Sequence, residues 1–194
     1  MSDKWYGIAG PSDALTQGDI IFECPVLAWK NEPFPSEGAA DLCERLRAHF
    51  ESVAVDVVVM TQACDLAQEK VRNVTLCAHY AIETWRQSWE QTLKAKGHSP
   101  TAKAWQNQCE DIQKGFVWNL SMLDKADLGT LRMAHRIVDF HEIFTVPREF
   151  LESLIAQRGH ERLRLFPPYR EHLSQAFARF YMRVGLPVEI VPVW

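Results

Sequence analysis

The sequence predicts an α+β fold: a small, strongly bent, mostly antiparallel sheet or SH3-like partial barrel, with an inserted helical hairpin and C-terminal helices covering one side. Three observations predict it. Five valines fall within residues 53–59, and β-branched side chains at both alternating sets of positions mark a strand buried on both faces. Trp85, Trp89 and Leu93 recur every fourth residue, as one face of a helix requires. Leu173, Phe177, Phe180, Tyr181 and Val184 form a similar stripe near the C-terminus, again at helical spacing.

Taken in order, Gly18-Asp19 forms a turn into a strand from Ile20 to Trp29. Pro25 lacks an N–H, so this strand lies at an edge or carries a bulge. Residues 31–38, NEPFPSEG, read as a loop, because Pro, Gly and Ser disfavour regular structure. Leu42, Leu46 and Phe50 then fall at helical spacing and predict a short amphipathic helix. Val53 to Thr61 is the interior strand, QACDLAQEK its connection, and residues 71–80 the returning strand, with Val74, Leu76 and Ala78 on one face and Thr75, Cys77 and His79 on the other.

The helical insertion covers about 81–114. Gly97 stops its first helix, Ser99-Pro100 starts the second, and Gly115 closes it. Residues 116–123 and 131–146 return to strand character. In the second of these, Val138, Phe140, Phe144 and Val146 share one face, and His135, Ile137, Asp139, His141, Ile143 and Thr145 the other. A helix follows Pro147 and ends at Gly159; residues 161–166 form a short strand, broken by Pro167-Pro168. The last helix stops at Gly185, and LPVEIVPVW supplies a final edge strand.

The chain of 194 residues suits a single domain over 1–194, and its hydrophobic fraction of 47% provides a sizeable core. No apolar run reaches the roughly 20 residues that span a bilayer, and the N-terminal MSDKWYGIAG lacks the pattern of a signal peptide. Five cysteines at irregular spacings do not make a disulfide framework. These features predict a cytoplasmic protein with no membrane partner. Charge is uneven: residues 1–70 hold twelve acidic side chains against five basic ones, while residues 158–183 hold six arginines against two glutamates. The C-terminal third is therefore suited to an acidic protein partner, or to nucleic acid through its basic helix.

Chemistry could reside in three places. Cys64 and Asp65 follow the valine strand, where a rigid strand end can aim a reactive side chain. A nucleophilic thiol needs a base, and His141, two residues beyond Asp139 on the same strand face, is the best available. The alternative is that Asp65 caps the turn and Cys64 is simply a small buried residue. A zinc site could draw on Cys64, Cys77, His79 and His141, with His135 near, although no paired ligand spacing such as CxxC or HExxH occurs. Arg162, Arg164, Arg170, Arg179 and Arg183 could grip a phosphate backbone or an acidic surface, or form a solvated face whose arginine stems cover apolar groups. No phosphate-binding glycine loop or nucleophile elbow is present, and no cofactor is implied.

Two resemblances add to this reading. QGDIIFECPVLAW with VAVDVVVMTQ resembles the opening of the MazF/PemK-type barrels, which implies an SH3-like barrel and a ribonuclease ancestry over about the first 80 residues. In that family a basic residue before the second apolar strand contacts the scissile phosphate; Asp56 stands at that position, and Thr61 stands for the family's Ser/Thr at the strand end. MTQACDL together with PPYREHLSQAFARFYMRVGLP is similar to bacterial proteins carrying a TQ-x-CD signature. That similarity implies an accessory of stress or phage-defence systems.

The function expected is thus a non-catalytic binding or regulatory accessory protein acting through protein–protein contacts, with the basic helix and the tryptophan-bearing insertion as its surfaces. The alternative is a hydrolase or ribonuclease using Cys64 and Asp65 with Asp139 and His141.

Overall fold

The computed structural model describes residues 4–33 and 41–182. The chain runs β1 (Tyr6–Ala9), β2 (Ile20–Trp29), α1 (Leu42–Ala48), β3 (Phe50–Val59), α2 (Ala63–Ala67), β4 (Asn73–Ala81), α3 (Ile82–Ala95) and α4 (Ala102–Gln113). It continues through β5 (Leu120–Leu123), β6 (Ala126–Leu128), β7 (Leu131–Met133), β8 (Arg136–Pro147), α5 (Arg148–Arg158), β9 (Arg162–Leu165) and α6 (Tyr169–Tyr181). The class is α+β. A five-stranded antiparallel sheet in the order β2-β3-β4-β8-β5 is its centre, and it stays open. Two small antiparallel pairs, β1-β9 and β6-β7, accompany it.

The valine segment is the inner strand β3, and its alternation divides the core. Val57 and Val59 face Val74, Leu76, Val146 and, from α5, Leu151 and Ile155. Val58 faces the other way, toward Cys77, Val138 and Phe140, where β1-β9, β6-β7 and α6 pack. All three valines are fully buried; each such side chain stabilises by about 1.5–3 kcal/mol. A third, smaller cluster joins Ile112 of α4 to Leu120 and Ile137, which seats the helical hairpin on the sheet.

Strand β2 lies at the sheet edge, as Pro25 requires, and its register with β3 slips between Ile21 and Cys24. Glu23 in that bulge takes a positive φ of 49°, and Arg158 from the end of α5 holds the bulge by donating to the carbonyls of Phe22 and Glu23. Gly18 turns the chain into β2 with φ 85°, and a Cβ there would lie 2.9 Å from Leu165 Cβ. Only glycine fits both the conformation and the contact.

Several expectations are corrected. The helix predicted through Phe50 ends at Ala48, because Phe50 opens β3 and packs its ring 3.9 Å from that of Trp29. In the hairpin the second helix is capped by Thr101, whose Oγ1 accepts from Ala104 N at 3.1 Å, and not by Ser99. The faces of β8 exchange midway. Ala78 pairs with Asp139 but Cys77 pairs with Ile143, so residues 140–142 bulge from the ladder. A bulge shifts side chains to the other face: Val138 and Phe140 pack in one cluster, Phe144 and Val146 in the other. Strands β1 and β6 have no counterpart among the expected elements, and residues 131–146, expected to be extended throughout, divide into β7 and β8. Val184, Gly185 and the predicted edge strand LPVEIVPVW lie outside the described residues.

Candidate functional site

Where β3 ends, the backbone hands over to side chains. Met60 N donates to Thr75 O at 2.9 Å, and Thr61 Oγ1 accepts from Thr75 N at 2.7 Å, so the ladder to β4 is extended by one hydroxyl. The chain then turns into α2, whose first residues carry Cys64 and Asp65. Above this turn lies α6. Gln17, a buried amide, ties the two together by donating to Met60 O at 3.0 Å and Ser174 Oγ at 3.3 Å.

Between β3, β4, α2 and α6 a cleft of about 380 Å³ remains. Thr61, Gln62, Asp65, Asn73, Thr75 and Ser174 give it polar groups; Met60, Val71, Phe177 and Ala178 give it an apolar side. The volume falls in the range of small-ligand pockets. Three residues of the TQ-x-CD stretch, Thr61, Gln62 and Asp65, thus line one cavity. Asp65 does not cap the helix, which has no side-chain cap. Among the described residues its carboxylate accepts only from Cys64 Sγ, at 3.7 Å, and has no ion-pair partner.

Cys64 is exposed, and its sulfur lies 3.6 Å from Gln62 Oε1. Among the described residues no imidazole is within hydrogen-bond reach of it, so the structure does not join Cys64 to His141. Asp139 and His141 do meet, as their spacing predicts. His141 Nδ1 is 3.1 Å from Asp139 Oδ1, and the His141 N–H donates to the same oxygen at 2.9 Å. Asn119, not among the expected residues, places Nδ2 3.3 Å from His141 Nδ1 and can donate to it only in the tautomer protonated at Nε2. The tautomer donating from Nδ1 to the carboxylate leaves Nε2 as the basic nitrogen.

The cysteine that senses Asp139 is Cys77, not Cys64. Burial, and then the Asp139 charge, push its thiol up to about 12, which leaves it protonated and unreactive at neutral pH. His79 is buried too, its ring 5.8 Å from that of Phe22 and edge-on to it. Burial first, then the Arg136 cation, hold its imidazole down to about 4. Among the described residues no three His, Cys, Asp or Glu side chains converge as metal ligands. The four side chains considered for zinc are not gathered into such a set: Cys77 and His79 lie inside the sheet packing, while Cys64 and His141 are at the surface.

The arginines have separate fates. Arg162 is buried, donating to Asp19 at 2.8 Å and to the carbonyls of Gly10, Asp13 and Ala14. Arg164 shares the Asp19 carboxylate, at 2.5 Å and 2.9 Å, and also donates to Ala14 O. Both hold the 10–19 segment to β9 and offer no common grip to a partner. Arg170 pairs with its neighbour Glu171 at 2.6 Å. Arg183 lies outside the described residues.

Arg179 differs. Its guanidinium lies 5.1 Å over the ring of Trp118, which follows the inserted hairpin. Phe116, Tyr181 and Met182, which belong to the same two chain segments, are exposed, and the Phe180 ring stands edge-on to His141 at 5.0 Å. Asp56, at the position where the resemblance to the MazF/PemK-type barrels puts a cation, is itself paired with Arg136 at 3.0 Å and accepts from Glu23 N at 2.9 Å.

No helix among the described residues is long and apolar enough to cross a membrane. Comparison of the chain with protein-family models, with curated proteins and with solved structures finds no match.

Proposed function

We propose that this protein is a non-catalytic binding protein, an accessory of a bacterial stress or defence system that acts by contacting another protein. The observation that carries this reading is the Arg179–Trp118 contact. It joins the end of α6 to the segment after the hairpin, and both segments carry exposed aromatic side chains. Trp, Tyr and Arg dominate the energetics of protein interfaces, because large rigid rings bury much area at small entropic cost. The free thiols fit the same reading: Cys77 is protonated by burial, and among the described residues Cys64 meets no imidazole.

The test is retention of partners from native lysate by the wild type and by the Arg179→Glu/Tyr181→Ala variant, compared quantitatively. Loss of at least tenfold in one co-purifying protein is expected, with the melting temperature of the variant unchanged. Equal retention of every partner counts against this surface.

A second reading is favoured by the Asp139–His141 contact at 3.1 Å, which is the geometry of an oriented general base. In that case the protein is a hydrolase or ribonuclease. Turnover of a model RNA by the wild type, abolished in His141→Ala, would establish it; no turnover in either protein would remove it.

A further inference from the structure

We infer that the cleft between the end of β3 and α6 binds an organic monocation with an apolar stem, an alkylguanidinium or alkylammonium group. Asp65 sets the charge of this cleft. It is the single charged side chain of the lining, and it caps no helix and meets no cation among the described residues. A carboxylate held in a cleft without a cationic partner favours a positive ligand and repels an anion.

The surroundings narrow the class. Gln62, Asn73 and Thr75 carry carbonyl or hydroxyl oxygens that can accept from the several N–H groups of such a head. In the same lining, Val71 and Phe177 offer apolar surface to a methylene stem, and aromatic rings attract nearby cations. A bare divalent ion fits less well. It needs six or more oxygen ligands, commonly with several carboxylates, and here one carboxylate stands beside an apolar wall. Gln17 makes the site rigid, because its amide fixes both Met60 O and Ser174 Oγ across the cleft. A preformed site loses less entropy on binding.

The cation could be a free amine or guanidine, or the side chain of a lysine or arginine on another protein; the recognised chemistry is the same. This inference does not rest on the Arg179 surface, and the variants separate the two. The experiment is an amide NMR titration of the whole chain with 1-butylguanidinium, with its neutral isostere 1-butylurea, and with a blocked tripeptide bearing a central arginine. Saturable shifts confined to residues around Gln62, Asp65 and Thr75 are expected with 1-butylguanidinium. At least tenfold weaker binding is expected for 1-butylurea, and for 1-butylguanidinium with Asp65→Asn, while Arg179→Glu should bind as the wild type does. Tighter binding of the tripeptide would assign the source to a partner's side chain, and tighter binding of the small cation would assign a free metabolite. Equal affinity for the urea and the guanidinium, or no saturable shift with either cation, would overturn the inference without reference to any variant.

Discussion

Asp19 accepts the Nε–H of Arg162 at 2.8 Å, with the carboxylate 0% and the guanidinium 6% exposed. The two residues are 143 positions apart, and Arg164 completes the group from the same strand. Removing solvent from three charges costs several kcal/mol, which their mutual attraction and hydrogen bonds offset only while all partners are present.

The first prediction follows from that dependence. Asp19→Ala leaves two guanidinium groups facing each other without their anion, and Arg162→Ala leaves a buried carboxylate short of a donor. Each should destabilise the fold by about 3–5 kcal/mol in urea unfolding. Because both substitutions break one network, the double variant should lose clearly less than the sum. Strictly additive losses would show that Asp19 and Arg162 act independently.

That network also marks how far sequence can be read. The valine run identified β3 because β-branched residues at both parities leave little alternative to a strand covered on both faces. Pro25 identified an edge, and Gly159 a helix end, because each rests on a local backbone property. Arg162 and Arg164 carry no local sign that a carboxylate near the N-terminus neutralises them, so their charge suggested a surface. The faces of β8 escape the sequence for a related reason. Counting by twos through residues 138–146 cannot detect the three residues that bulge at 140–142, although the Asp139–His141 pair survives because it lies at the start of that bulge. In the cleft, Thr61 is legible as the end of a strand, and Gln62 and Asp65 as part of the connection after it. Ser174 joins them only through the packing of α6, more than 100 positions later.

The five cysteines provide a second prediction. Cys43 and Cys64 are exposed, Cys109 is partly covered, and Cys24 and Cys77 are buried. Burial pushes Cys24 up to about 11 and Cys77, with Asp139 adding to it, up to about 12. Thiol reactivity needs both access and thiolate. Titration of the native protein with a thiol-reactive chromogen should therefore show two fast equivalents, a slower third, and two that appear only in denaturant. Cys64→Ser should remove one fast equivalent and nothing else. Fast reaction of a fourth thiol would mean that the packing around Cys24 or Cys77 opens in solution.

The last prediction concerns pH and His79. Burial is the largest reason its imidazole is held down to about 4, with the Arg136 charge second; Asp56 and the backbone of Val57 pull more weakly the other way. Below an ordinary value of about 6.5 the unfolded chain therefore takes up a proton that the folded protein refuses until near pH 4. The stability due to a neutral His79 is complete above about pH 6.5 and is lost as pH falls through that window, at up to about 1.4 kcal/mol per unit. Carboxylates also titrate there, so the useful quantity is the difference between the wild type and His79→Leu, each followed by urea unfolding from pH 7 to pH 4. The variant should lose stability less steeply over this range, since it has no imidazole to protonate when unfolded. Parallel curves would mean that the folded protein protonates His79 as readily as the unfolded chain does, and that the pocket formed by Phe22 and Arg136 opens to admit water.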